Sequence, residues 1–184
     1  RKTIDQSSES IVEKVEQAQA NYATHLHSLS RQEFVLAENL LEVLANNITA
    51  RFWMRVKRVA DENLWLMIDS YSTVQAISHL AAILKTKEDI SDIEITLEQD
   101  SNNVAFMTIL WPERTVSHKL LDEWKVAPLS TDSADTIITW DGIIKKRKGE
   151  ITSYPEGSET ASAVQITIPP TQKDAPLPLQ TTLE

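Results

Sequence analysis

Few residues in this 184-residue chain could do chemistry, and their spacing limits what that chemistry could be. A loop that cradles phosphate needs glycine, because its backbone must take positive φ and approach the phosphates with no Cβ in the way. Only Gly142, Gly149 and Gly157 occur. None lies in a Gly-x-Gly or Gly-x-x-x-x-Gly-Lys cluster, so the spacing argues against a nucleotide site of the usual kind. Cysteine is absent, which removes disulfides and thiolate metal sites. The histidines, His25, His27, His79 and His118, form no pair at the helical spacing that ligates zinc. No metal and no cofactor is therefore expected. An altered nucleotide site would have to draw on Asp69, Glu113, Asp122 and the run Lys145-Lys146-Arg147-Lys148, and spacing alone brings no two of them together. The basic run has a simpler reading as the last turn of a helix, where cations face the negative end of the helix dipole.

The chain is 41% hydrophobic and 24% charged, the balance of a folded domain with appendages. A formal charge of -9 argues against general nucleic-acid binding, in which a cationic surface supplies most of the affinity. No apolar run approaches the roughly 18 residues that cross a bilayer, and no signal-peptide pattern is present. A cytoplasmic location is expected, with any membrane link lying upstream of this chain.

These residues must be positioned by elements that the periodicity outlines. Ile4, Ile11, Val15, Ala18, Tyr22 and Leu29 recur at heptad-like offsets, with charged and polar residues between them. That stripe is too narrow for a helix buried all round, so it predicts a helical seam with a second copy of the chain, a homodimer, the alternative being a neighbouring helix of its own domain. Ser30 with Glu33 three residues on reads as the cap of a second helix whose apolar face is Phe34, Leu40, Leu41 and Leu44. After Asn46-Asn47 the period changes to two. Phe52, Met54 and Val56 alternate with Arg51, Trp53, Arg55 and Lys57, predicting a half-buried strand with Trp53 on its polar face. There an exposed indole is a candidate partner contact.

Leu64 to Ile68 predicts a short strand, and Asp69-Ser70 opens a helix with Val74, Ile77, Leu80, Ala81 and Leu84 inward, followed by a charged connection from Lys85 to Asp92. Ile93 to Leu97 and Val104 to Leu110 alternate around the polar turn Asp100 to Asn103, an antiparallel hairpin that Trp111-Pro112 ends. Val116 to Trp124 is helical in spacing, and Val126 to Ala134 a polar loop. Thr136 to Lys148 predicts a helix stopped by Gly149 at the C′ position. Glu150 to Tyr154 and Ala161 to Ile168 predict a closing hairpin, and Pro169, Pro170, Pro176 and Pro178 a linker. The sum is an α+β fold, a two-layer sandwich with a mixed five- or six-stranded sheet under about three helices. It divides as a dimerisation helix over 1–30, a folded domain over 31–169 and a proline-rich tail over 170–184.

The segments 36–44, 64–69 and 74–80 together resemble the opening of the catalytic ATP-binding domain of sensor histidine kinases, the GHKL ATPase family. Ile143 to Ile151, Gly157 and Val164 to Pro169 resemble its last helix and terminal hairpin. The resemblance covers about residues 34–169, and the first helix stands where the family has its dimerisation and phosphoacceptor helices. The family's chemistry does not carry over. Its N-box asparagine, which reaches magnesium and phosphate, is matched within His79-Leu80-Ala81-Ala82-Ile83 by Ile83, which coordinates nothing. The Asp-x-Gly-x-Gly segment that meets adenine is replaced by Trp111-Pro112-Glu113-Arg114, and the glycine lid by Ser130 to Thr136. No His-Glu-x-x-Thr-Pro box is present; His25 and His27 read as solvated helix-end residues, and His79 and His118 as polar spots near core helices.

Leu110-Trp111-Pro112, Leu120 to Trp124 and Pro128-Leu129 also resemble the degenerate kinase-like module that stands between a sensory region and a 3′–5′ proofreading-type exonuclease in some bacterial multidomain proteins. This resemblance implies an exonuclease domain beyond the tail, outside this chain. Five tryptophans stand against three phenylalanines and three tyrosines, and Trp111 and Trp124 flank the region of lid and base pocket, predicting an apolar fill there. The expected function is a non-catalytic pseudokinase module for dimerisation and signal relay to attached domains. A divergent nucleotide binder and a passive protein–protein adaptor are the alternatives.

Overall fold

A computed structural model of the protein describes residues 32–112, 114–129 and 139–170. Strand β1 (Glu33–Leu36) leads into helix α1 (Ala37–Phe52), and strands β2 (Arg55–Ala60) and β3 (Trp65–Ile68) follow. Helix α2 (Ser70–Glu88) precedes the hairpin β4 (Asp92–Gln99) and β5 (Ala105–Leu110). Then come β6 (Val116–Ser117), α3 (His118–Val126), α4 (Trp140–Lys146), β7 (Glu150–Tyr154), β8 (Thr160–Ala161) and β9 (Ala163–Ile168).

The main sheet is five-stranded and mixed, in the order β2-β4-β5-β9-β7, with only the β2–β4 pair parallel. This is the expected α+β sandwich. Alternation decides its two faces. Ile93, Ile95, Leu97, Ala105, Met107, Ile109, Val164 and Ile166 are buried in one core with Leu40, Leu44 and Ile48 of α1 and Ile77, Leu80 and Leu84 of α2. On the opposite face Thr96, Thr108 and Gln165 stand in register and half-buried, and Gln165 Nε2 donates to Thr108 Oγ1 at 3.2 Å.

Several boundaries differ from the sequence expectation. Residues 33–36 form a strand paired antiparallel with β3, Glu33 opposite Ile68 and Leu36 opposite Trp65, so Phe34 lies on a strand and not on a helix face. The helix starts at Ala37 without a side-chain cap, because the Ala37 N–H is taken by the Leu64 carbonyl at 2.8 Å. Ser30, expected to cap it, lies outside the described residues.

The expected strand over 51–57 is displaced as well. The helical stripe Leu40, Leu44, Ile48 continues one turn further to Phe52, through Asn46-Asn47, which read as a break. Asn47 is held there by its side chain, whose Oδ1 accepts from Ser78 Oγ at 3.0 Å. Trp53 then ends the helix in the left-handed region at φ 56, its N–H donated to the Thr49 carbonyl. It caps a helix and does not sit on the polar face of a strand.

Helix α2 runs through Lys85 and Lys87, the expected charged connection, to a left-handed Asp89; the Ile90 N–H closes on the Leu84 carbonyl as in a Schellman cap. At the end of α4 the left-handed residue is Lys148 at φ 60, not Gly149. Gly149 is instead required by proximity: a Cβ there would meet the Thr167 carbonyl at 2.4 Å.

Candidate functional site

The segments that the resemblance assigns to ATP are the His79–Ile83 stretch of α2, the chain after β5, and residues 130–136, which lie outside the described residues. Asp69 caps α2, its carboxylate accepting from the Ser72 N–H at 3.0 Å and the Ser72 hydroxyl at 2.8 Å. The Arg147 side chain is half-buried; burial lowers its pKa from the ordinary arginine value, while the negative charge of nearby Asp69 opposes that. Of the candidate residues, Asp69 is thus a helix cap whose charge is felt at Arg147.

The others are dispersed. Asp122 pairs with Lys125 at 3.2 Å, and Lys145 pairs with Asp141 at 2.7 Å one turn back on α4. Lys146 is exposed, and Glu113 lies outside the described residues. The helix-end reading of the basic run fits this geometry. Among the described residues no group of three His, Cys, Asp or Glu could hold a metal ion.

Ile83 is half-buried and packs against the core, where an aliphatic side chain offers no ligand atom. His79 is also half-buried; burial, and secondarily the charge of Lys87, hold its pKa below the ordinary 6.5. It is therefore a neutral imidazole at neutral pH.

The chain after β5 is tied into the closing hairpin. Trp111 is fully buried, its N–H donating to the Ser162 carbonyl at 3.0 Å and its Nε1 to the Ala161 carbonyl at 3.2 Å. Two-residue β6 then pairs with β8, and buried Val116 anchors it. Trp124 is buried on α3 and donates its Nε1 to the Ala76 carbonyl of α2 at 2.9 Å. Both indoles are core members with satisfied N–H groups, fixing the connection and α3 onto the domain. Trp140, at the start of α4, is buried with its Nε1 unpartnered among the described groups.

An open groove of about 270 Å³ lies beside the N-box positions. The end of α1 contributes Arg51 and Phe52, α2 contributes Gln75, Ser78, His79 and Ala82, and Pro128 and Leu129 close it. Sequence reasoning missed it because Arg51 and Phe52 read as strand. Trp53 follows directly, 87% exposed. The seam residues Ile4, Ile11, Val15, Ala18, Tyr22 and Leu29, with His25, His27 and the Ser130–Thr136 lid position, lie outside the described residues. No helix among the described residues is long and apolar enough to cross a membrane.

No protein-family model and no curated protein matches the sequence. Solved structures do. The histidine kinase domain of the E. coli osmosensor EnvZ superimposes with a TM-score of 0.56 at 12% identity, over 83% of this chain and 96% of that one. The ATP-binding domain of PrrB from Mycobacterium tuberculosis gives 0.53 at 11%, over 77% of this chain and 98% of that one. The nucleotide-free catalytic domain of the histidine kinase ThkA gives 0.52 at 15%, over 76% and 95%. The chain has the histidine-kinase-like ATPase fold.

Proposed function

We propose that this domain is a pseudokinase: a non-catalytic histidine-kinase-like module that dimerises and passes position or strain to attached domains of a bacterial multidomain protein, a proofreading-type exonuclease among them. The observation that carries this reading is Trp111. Where the fold family has a glycine-bearing segment open to adenine, this chain has a buried indole bonded to Ala161, and at the N-box position it has Ile83. Neither can approach a phosphate or a magnesium ion. The Asp69 carboxylate is already engaged as the cap of α2, bonded to Ser72.

Dimerisation rests on the stripe from Ile4 to Leu29, which needs a partner to bury its apolar seam. A helical pair joined to a sandwich domain relays a signal when it has two packings of similar energy. Sedimentation of the Ile11→Asp/Val15→Asp double variant tests this: the wild-type chain is expected at twice the monomer mass and the variant at the monomer mass. A wild-type monomer, or an unchanged mass in the variant, removes the seam from the reading.

A further inference from the structure

The groove between α1 and α2 has a chemistry that pseudokinase status does not explain. Its described lining holds a cation, Arg51, and the hydrogen-bonding side chains of Gln75 and His79, yet no carboxylate, in a chain of net charge -9. The Arg51 guanidinium sits 5.2 Å from the centre of the Phe52 ring, which holds the long side chain in place, and it has no carboxylate partner among the described residues. Trp53 follows this pair in the chain, 87% exposed and at φ 56, a backbone region that bulky side chains rarely adopt. Asparagine or glycine would end the helix there more easily. Holding an indole in solvent on an unfavourable backbone marks a functional anchor, since strain persists where something else requires it.

We propose that this corner docks an acidic segment of another protein that presents a large apolar side chain. The carboxylates would meet Arg51 and the donors of the groove, and the apolar side chain would pack on Trp53; tryptophan and arginine are the residues most enriched where binding energy concentrates. Charge complementarity selects this occupant. A bilayer or a nucleic acid needs a broad cationic surface, and two of the three cations on neighbouring β2 are paired, Arg55 with Asp92 and Lys57 with Glu94. Arg55, Lys57 and Arg58 line the edge strand β2 with charged side chains, which oppose strand addition there. The proposal does not depend on the loss of nucleotide binding.

The test uses the full chain and a fluorescently labelled 12-residue peptide of glutamate, alanine and leucine, read by anisotropy at low and moderate salt. Three proteins are compared with wild type: Trp53→Asn, Arg51→Glu and, as a distant control, Tyr71→Ala, which removes another exposed aromatic, 67% accessible, from the start of α2. Asparagine suits the left-handed position, so Trp53→Asn keeps the fold while removing the anchor. Expected is saturable binding in the micromolar range, weakened at least tenfold by Trp53→Asn and by Arg51→Glu and unchanged by Tyr71→Ala. Affinity should also fall with salt. No saturable binding up to about 1 mM, equal binding of the lysine counterpart peptide, or equal affinity of wild type and Trp53→Asn would overturn the proposal. So would preferential, Trp53-dependent binding to vesicles of phosphatidylserine.

Discussion

Replacing Gly149 by alanine separates two explanations of that glycine, as a left-handed helix stop or as a point of close approach. The Cβ of an alanine would lie 2.4 Å from the Thr167 carbonyl and 3.0 Å from Ile144 Cγ2. Ordinary contact distance is about 3.5 Å, so the helix end or the strand must yield by roughly 1 Å. Neither yields easily. Thr167 is paired with Glu150 in the sheet, and the Gly149 N–H is bonded to the Ile144 carbonyl at 3.0 Å. Overpacking of this kind costs about 2–3 kcal/mol, which for a domain of this size is about 5–10 °C in Tm. The assay is thermal unfolding by circular dichroism, with urea denaturation alongside. The companion variants are at Gly157, where φ is 72 and nothing lies within 4 Å of an added Cβ. There alanine costs about 1–2 kcal/mol, and asparagine, which tolerates the left-handed region, recovers part of it. At Gly149 asparagine must be worse than alanine, because it is larger and the backbone is not left-handed. If Gly149→Asn were as stable as wild type while Gly149→Ala was not, the close-approach argument would be wrong and a left-handed stop would stand.

Other perturbations test the surrounding chemistry. Asp69→Ala removes both bonds to Ser72, so the unfolding free energy should fall by about 1–2 kcal/mol, read as a lower urea midpoint at unchanged m-value; an unchanged midpoint would deny the cap. His79 is held below 6.5 in the folded state. The unfolded chain therefore takes up protons first as pH falls through 6.5, and stability declines with acidification until the folded-state pKa is passed. His79→Gln should flatten the urea midpoint between pH 7.5 and 5, whereas an identical slope in the variant would place the titration elsewhere. The Asp92 carboxyl is held below its ordinary 3.8, first by the hydrogen bond from Arg55 and then by nearby positive charge. The stability it contributes is present above that ordinary value and lost as pH falls through the folded pKa. Carbon-detected NMR should show Asp92 titrating low in wild type and returning toward 3.8 in Arg55→Ala; a low pKa retained in the variant would remove Arg55 as the cause.

The fold was legible where local periodicity and tertiary demand agree. The β4–β5 hairpin is announced by alternation on either side of Asp100 to Asn103, and Asp100 Oδ1 accepts from the N–H groups of Asn102 and Val104 as such a turn requires. Helix α2 is announced by Asp69 and an apolar stripe. Legibility failed where one residue type fits two structures. Phe52 serves a helical stripe and a strand alternation equally well, and the tertiary Asn47–Ser78 bond that holds the helix through Asn46-Asn47 is not a local signal. The β1–β3 ribbon was invisible because Glu33–Leu36 is too short to show a period, and its pairing with Trp65–Ile68 joins residues 29 to 35 positions apart. Gly149 was read from chemistry common to most helix ends, whereas its need comes from Thr167 on another strand. The groove beside His79 could not be foreseen for the same reason: it is made by the end of one helix, the face of another and Pro128-Leu129, three segments that no local pattern connects. The charge of Asp69 is felt at Arg147, which no local pattern announces because it depends on how the end of α4 packs beside α2.

Calorimetric titration of the full chain with Mg-ATP and Mg-ADP is the measurement that bears most directly on the central claim, that this fold has given up nucleotide binding. The account predicts no saturable heat at millimolar nucleotide. Saturable binding in the micromolar range, about 8 kcal/mol at 1 μM, would contradict it and return the chain to the nucleotide-binding enzymes whose fold it shares.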